Sequence, residues 1–362
     1  MNFLLFLAGL SALVVGAELL VRGASKLAFS WGISPLVVGL TIVAFGTSAP
    51  EVAVSVSSVF NGNTDIALGN VVGSNIFNVL FILGLSALVS PLVVSAQIIR
   101  QEVPIMIGAS LLLLSLALDG RIGAFDGLLF LTLMVAYTIF LVVQSRAATK
   151  ATKDEFSGEY EPAVAGGWDS RMPVQMALIL VGLAALVLGS DWLVTSAVIF
   201  AKQMGVSDLV IGLTIVAAGT SMPELATSLA AAIKGERDIA VGNVVGSNTF
   251  NILGCLGASA LAGGTGGLVV APAVMNFDIW VMLAVALACL PVFMNGQRIA
   301  RWEGAMFVLY YAAYAAYLIL AAQAHDALPA FSLAMLSFVI PLTLVTLVVV
   351  TVREPTRSAA AR

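Results

Sequence analysis

Residues 32–55 read GISPLVVGLTIVAFGTSAPEVAVS, and residues 205–228 read GVSDLVIGLTIVAAGTSMPELATS. A second pair follows at the same offset of 173: DIALGNVVGSNIFNVL at 65–80 and DIAVGNVVGSNTFNIL at 238–253. Without a gap, about 30 of the 49 positions from Gly32 to Leu80 match their counterparts, which marks an internal duplication. The echo continues upstream, where GAELLV at Gly16 answers GSDWLV at Gly189. Packing alone would keep small and apolar residues alike. It does not explain why Glu, Asn, Ser and Thr coincide as well.

The duplicated segments lie in a chain that belongs in lipid. Of 362 residues, 60% are apolar and only 10% are charged, whereas a water-soluble domain carries roughly 25% charged residues. Apolar runs near the length needed to span a bilayer occur at about 3–23, 33–60, 65–90, 103–119, 124–144, 174–199, 206–233, 239–263, 275–295, 303–322 and 330–352. The fourth run is at the short limit, and the first is read as a membrane helix rather than a cleaved signal. One hydrophilic stretch, Ser145–Pro173, carries charges of both signs with turn formers and reads as a loop joining two halves.

Lysine and arginine set the orientation. With the N-terminus outside, the inner loops hold 14 basic residues and the outer loops only Arg121 and Lys202. Each half begins with five helices, an odd number, so the second copy enters the membrane from the opposite side. The predicted fold is therefore all-α and polytopic, with two inverted five-helix repeats forming a ten-helix core and one extra C-terminal helix. The expected organisation is a first repeat at 1–144, a cytoplasmic linker at 145–173, a second repeat at 174–323, and an extra helix with tail at 324–362. The expected location is a cell membrane of the bacterial inner-membrane kind, with the C-terminus cytoplasmic.

Glu51 and Glu224 fall well inside their helices. A carboxylate at mid-bilayer costs about 2.5–3.5 kcal/mol on insertion scales, and its default meaning is an ion pathway. A structural ion pair is the bland alternative, but no Lys or Arg lies at membrane depth to serve it; a protonated glutamate bridging helices is another. Pro50 and Pro223 remove a backbone donor, and Gly46 and Gly219 loosen the same turn, so each helix should break there. Broken backbone at membrane depth is tolerated only where it lines a cavity or is buried in protein. Carbonyls, hydroxyls and carboxylates are hard oxygen donors of the kind calcium and sodium prefer.

The next helix of each half supplies a facing wall. Asn70, Ser74 and Asn78 share one face at i, i+4 and i+8, as do Asn243, Ser247 and Asn251. Thr47 and Ser48 share the face of Glu51. Gly69, Gly73, Gly242 and Gly246 should admit close neighbours. Asn75 and Asn248 point elsewhere, toward hydrogen bonds between helices. Asp65 and Asp238 read as helix caps. Glu18 has Arg22 four residues on, which suggests a surface ion pair, while its counterpart Asp191 lacks such a partner. Cys255 and Cys289 read as small core residues. His325 is the only histidine, which leaves out histidine-rich zinc or haem chemistry.

At these residues the chain resembles the cation/calcium antiporter superfamily, and within it the sodium/calcium exchanger family of bacterial type. The paired GTS-x-PE and GN-x-x-GSN motifs in inverted halves carry the resemblance, over Gly39–Leu83 and Gly212–Leu256. The resemblance implies ion sites at the centre of the second, third, seventh and eighth helices. It implies that Glu51 and Glu224 ligate calcium and that Thr47, Ser48, Ser74, Thr220, Ser221 and Ser247 help form sodium sites. Asn78 and Asn251 would line the central position, and the first and sixth helices would slide across the core to alternate access. Some relatives carry Asp where this chain has Asn251; two central amides argue against potassium dependence. The eleventh helix lies outside the ten-helix pattern and is expected at the periphery.

The implied function is secondary antiport of calcium against sodium. A calcium or other divalent cation/proton antiporter is the nearest alternative, and a channel a more distant one. No HExxH, nucleophile-elbow serine or aspartate pair suggests an enzyme. Calcium and sodium are substrates rather than cofactors. The lipid bilayer is the other partner, no nucleic acid is expected, and the oligomeric state stays open.

Overall fold

A computed structural model of the chain describes residues 2–155, 169, 171–204, 217–346 and 348. The protein is an all-α polytopic membrane protein built as two inverted five-helix repeats with one further helix. The first repeat comprises α1 (Asn2–Trp31), the bent α2 (Pro35–Thr47 and Ala49–Phe60), α3 (Thr64–Val89), α4 (Ile98–Ala117) and α5 (Ala124–Glu155). The second comprises α6 (Met172–Gln203), the described part of α7 (Ala217–Gly219 and Met222–Lys234), α8 (Arg237–Ala262), α9 (Val274–Met294) and α10 (Arg301–Ala322). Then comes α11 (Leu328–Thr346). Among the described residues nine helices are long and apolar enough to span, or ten with bent α2. The predicted start of α7, at 206–216, lies outside the described residues.

Matching residues make matching turns. Gly62 and Gly235, 173 apart, take φ of +82° and +80° between the second and third helix of each repeat, a left-handed conformation that glycine adopts without strain. Asp65 and Asp238, expected as caps, instead lie in the first turns of α3 and α8; the capping positions are Asn63 and Glu236. A carboxylate in a first turn still complements the positive end of the helix dipole.

Inversion is visible in how α1 meets α6. A Cβ at Gly9 would touch the backbone of Gly189, one at Gly16 that of Gly182, and one at Gly23 that of Gln175. As one chain number rises the other falls, so the two helices run antiparallel. Short strands tie the repeats at two places: β1 (Leu92–Val93) pairs with β4 (Arg298–Ile299), and β2 (Arg121–Ile122) with β3 (Leu268–Val269). Both pairs are antiparallel and each joins loops of opposite repeats.

Burial grades from centre to rim. The hydrophobic window of α8 is 100% buried and that of α3 78%, against 6% for α10 and 0% for α11. α11 lies at the periphery, where Tyr310 of α10 hydrogen-bonds the Thr343 hydroxyl and the Val339 carbonyl. Glycines let α8 sit at the centre: a Cβ at Gly246 would lie 2.7 Å from Leu40 backbone, and one at Gly242 3.1 Å from the Leu36 carbonyl. Gly69 and Gly73 have no such neighbour among the described residues; their counterparts' partners, Leu36 and Leu40, correspond to residues 209 and 213, which lie outside them.

Three further expectations are corrected. The loop predicted from Ser145 begins as helix, because α5 continues to Glu155; its Ala, Arg, Lys and Glu are good helix formers, and neither Gly nor Pro intervenes. The fourth helix starts earlier than its apolar run, at Ile98, because Glu102 is buried and bound by the Tyr137 hydroxyl at 2.6 Å. Glu18 does not pair with Arg22 but meets Lys234 Nζ at 2.5 Å, joining α1 to α7. Arg22 itself reaches Asp169 at 2.8 Å. That hydrogen bond holds the Asp169 carboxyl below the usual carboxylate range.

Candidate ion-binding site

The break in α2 falls at the expected residues. The two parts of the helix meet at 42°, with Ser48 at φ −83° and ψ 8° between them. Ser221 takes nearly the same angles, φ −89° and ψ 11°, at the same place in α7. Each break puts a glutamate into the first turn of the helix that follows, Glu51 and Glu224, both fully buried.

Each carboxylate is then held by the other repeat. Ser221 Oγ donates to Glu51 Oε1 at 2.8 Å, and Ser48 Oγ donates to Glu224 Oε1 at 2.8 Å. The exchange is reciprocal, which brings the two glutamates to one place where the repeats meet. Ser221 also lies 3.2 Å from Ser74 Oγ, which draws α3 into the cluster.

The flanking residues repeat this symmetry. Thr47 Oγ1 donates to Asn243 Oδ1 at 3.1 Å, and Thr220 Oγ1 to Asn70 Oδ1 at 3.5 Å. Asn70 Nδ2 donates to the Glu51 carbonyl at 3.3 Å and to Ser55 Oγ at 3.0 Å. Asn243 Nδ2 does the same with the Glu224 carbonyl, 3.3 Å, and Ser228 Oγ, 2.9 Å. One turn beyond Ser74 and Ser247, Asn78 Nδ2 donates to Asn248 Oδ1 at 3.0 Å and Asn251 Nδ2 to Asn75 Oδ1 at 3.1 Å. All ten predicted site residues therefore lie on α2, α3, α7 and α8. Nine take part in these bonds, and Ser247 shares the α8 face of Asn243 and Asn251.

What is left over is chemically uniform. Glu51 Oε2, Glu224 Oε2, Asn78 Oδ1, Asn251 Oδ1 and Ser247 Oγ are buried without a hydrogen-bond partner among the described residues. Unpaired buried polar atoms are rare in proteins and ask for an explanation. All five are oxygens, four of them acceptors only in these groups. No Lys or Arg contacts either glutamate among the described residues.

A family profile described as "Sodium/calcium exchanger protein" matches residues 1–143 and 174–320. The chain belongs to the sodium/calcium exchanger family. Among its relatives is the sodium/calcium exchanger MaX1 of Methanosarcina acetivorans, 33% identical over 342 residues, covering 86% of this chain and 97% of that one. The inner membrane protein YrbG of Escherichia coli (strain K12) is 39% identical over 194 residues, 54% of this chain and 59% of that protein. The solved structure of the sodium-calcium exchanger NCX_Mj soaked with 2.5 mM Na+ and 0.1 mM Ca2+ has a TM-score of 0.72 at 30% identity, covering 87% of this chain and 97% of that one. The chain is thus a multi-pass antiporter of the cation/calcium exchanger class, and its family is one of transporters rather than enzymes.

Two polar features of this exchanger escape a reading of its motifs. One is the serine that repairs the break in α7. Pro223 deprives the Gly219 carbonyl of its helical donor, and Ser190 Oγ of α6 takes that place at 2.6 Å. So that carbonyl, expected to be free, is occupied. Position 17, the counterpart of Ser190, is alanine. Ser190→Ala is expected to leave a buried carbonyl unsatisfied and to cost about 1–3 kcal/mol, seen as a lower unfolding midpoint in detergent. The other is a pair of carboxylate–tyrosine contacts, Glu102 with Tyr137 at 2.6 Å and Asp278 with Tyr314 at 2.8 Å, each joining the last two helices of one repeat.

Proposed function

We propose that the chain exchanges calcium for sodium across the membrane by alternating access at the buried carboxylate site. The observation that carries this reading is the set of partnerless oxygens from both repeats, with no basic side chain to neutralise the two glutamates. Glu51 and Glu224 ligate calcium. Thr47, Ser48, Ser74, Thr220, Ser221 and Ser247 supply oxygens to sodium sites around it, and Asn78 and Asn251 line the centre.

Charge then enforces exchange. With both glutamates ionised the site carries a charge of about −2 at mid-bilayer, where moving it is costly. One calcium ion, or at least two sodium ions, neutralises it. Only the neutral site changes sides, so inward sodium drives calcium out. Residues 1–144 and 174–323 act as the two exchanger repeats, 145–173 links them on the cytoplasmic side, and 324–362 is peripheral. The N-terminus faces outward. Glu18 with Lys234, Arg22 with Asp169 and Arg301 with the Val89 carbonyl each join segments assigned to one and the same side of the membrane, as the helix count requires.

Protons neutralise two glutamates equally well, so exchange of calcium against protons is the second reading. Radioactive calcium uptake into proteoliposomes, with pH clamped on both sides, separates the two. An outward sodium gradient is expected to drive uptake that collapses when sodium is equalised. Uptake that ignores sodium and follows an imposed pH gradient overturns the sodium reading in favour of the proton one.

A further inference from the structure

We propose that Asn75 and Asn248 are positioning residues that lock the central amides of Asn78 and Asn251 with their oxygens, never their N–H groups, offered to the transported cation. The inference rests on the site proposed above and concerns two residues outside it.

Four hydrogen bonds form the lock, and they leave no freedom in how the amides are turned. Asn75 Nδ2 donates to the backbone carbonyl of Asn248 at 3.2 Å, and Asn248 Nδ2 donates to the backbone carbonyl of Asn75 at 3.2 Å. A backbone carbonyl only accepts. Turning either amide over would set two acceptors face to face, so Asn75 and Asn248 each have one allowed orientation. Their Oδ1 atoms can then only accept. Asn251 must present its Nδ2 to Asn75 Oδ1, at 3.1 Å, and Asn78 its Nδ2 to Asn248 Oδ1, at 3.0 Å. With the nitrogens committed, what remains of each central amide is its oxygen. Those are the two amide oxygens, Asn78 Oδ1 and Asn251 Oδ1, left without partners. All four asparagines are at least 97% buried, so water does not compete for the donors.

The chemistry explains why the lock matters for this cargo. An asparagine free to rotate offers a cation its oxygen in one orientation and a repelling N–H2 in the other. An amide fixed from the far side adds a neutral hard ligand without changing the charge set by the two glutamates. The rigidity comes from across the two-fold: Asn75 of the first repeat sets Asn251 of the second, and Asn248 sets Asn78. Each central amide is thus oriented by the repeat to which it does not belong.

The pairing makes a specific test. Full-length protein is purified in detergent and titrated with calcium chloride, and its unfolding midpoint is measured without calcium. Asn75→Leu and Asn251→Ala are each expected to weaken calcium binding by about tenfold or more. The double variant is expected to be no weaker than the poorer single, because the two residues act as one unit. The same non-additivity is expected for Asn248→Leu with Asn78→Ala. Asn75→Leu with Asn78→Ala, neighbours on one helix whose side chains share no bond, should instead multiply. A residue that merely holds helices together lowers the midpoint without this crossed pattern. If Asn75→Leu does not fold, Asn75→Ser removes the acceptor of the Asn251 amide with a smaller, polar side chain, and the same coupling is read from it. Equal multiplication in all pairs overturns the lock while leaving the site. An Asn251→Ala variant that binds calcium like the parent overturns the site reading and the lock with it.

Discussion

Glu51→Gln and Glu224→Gln are each expected to lower calcium exchange by about 100-fold or more while leaving the protein folded. Glutamine matches the glutamate in shape, and its carbonyl can accept the same serine donor, Ser221 for position 51 and Ser48 for position 224. What it cannot supply is the second oxygen. The partnerless Oε2 of each carboxylate becomes an N–H2 group that repels a cation. At an effective dielectric of about 20, a unit charge about 4 Å away is worth about 4 kcal/mol, and about 1.4 kcal/mol is a factor of ten, so the loss of one charge suffices. The substitution also leaves a charge of about −1, which one sodium ion or one proton would neutralise. The variants should therefore keep their size-exclusion profile and unfolding midpoint while radioactive calcium flux in proteoliposomes falls to background. Substantial calcium flux in both would remove the carboxylates from the transport step and end the scheme.

The ten candidate residues stand out because the duplication repeats them without a gap, so that polar positions appear twice against an apolar background. Their partners were harder to read. Ser48 shares a helical face with Glu51, yet its hydroxyl serves Glu224, because the two-fold relation brings each broken helix against the other repeat. Periodicity reports a face and not which helix it meets. The Glu102–Tyr137 and Asp278–Tyr314 contacts were missed for two reasons. Beyond the third helix the offset between the repeats slips from 173 to 176 at Glu102 and Asp278, so an ungapped comparison no longer aligns them. Glu102 also stands beside Arg100 and Gln101, where hydropathy alone ends the membrane run. The pairing of Glu18 with Lys234 rather than Arg22 has a different cause. A neighbour one turn away is visible in sequence, and one on a helix more than two hundred residues later is not.

Gly182→Leu is expected to be as damaging as loss of a glutamate, through packing rather than charge. Glycines recur every seven residues on α1, at 9, 16 and 23, and on α6 at 182 and 189. Seven residues are close to two helical turns, so each set stays on one face. The two faces meet with their backbones almost touching: a Cβ at Gly182 would lie 2.7 Å from the Leu20 nitrogen and 2.8 Å from the Gly16 carbonyl oxygen. These are backbone atoms and cannot rotate aside. In lipid, where no hydrophobic gain drives helices together, such close packing is a main source of their association. Even Gly182→Ala should strain the seam, and leucine should force it open at about 1–3 kcal/mol or more. Gly108→Leu on α4 is the control, since nothing described lies within 4 Å of that position, and it should fold and transport like the parent. The expected series in monodisperse yield and calcium flux is Gly108→Leu equal to parent, Gly182→Ala reduced, and Gly182→Leu lost. The seam also bears on the exchange cycle proposed above: two helices that touch backbone to backbone cannot cross the core separately without parting, so α1 and α6 are expected to move together. Full activity in Gly182→Leu would contradict both the contact and the joint motion.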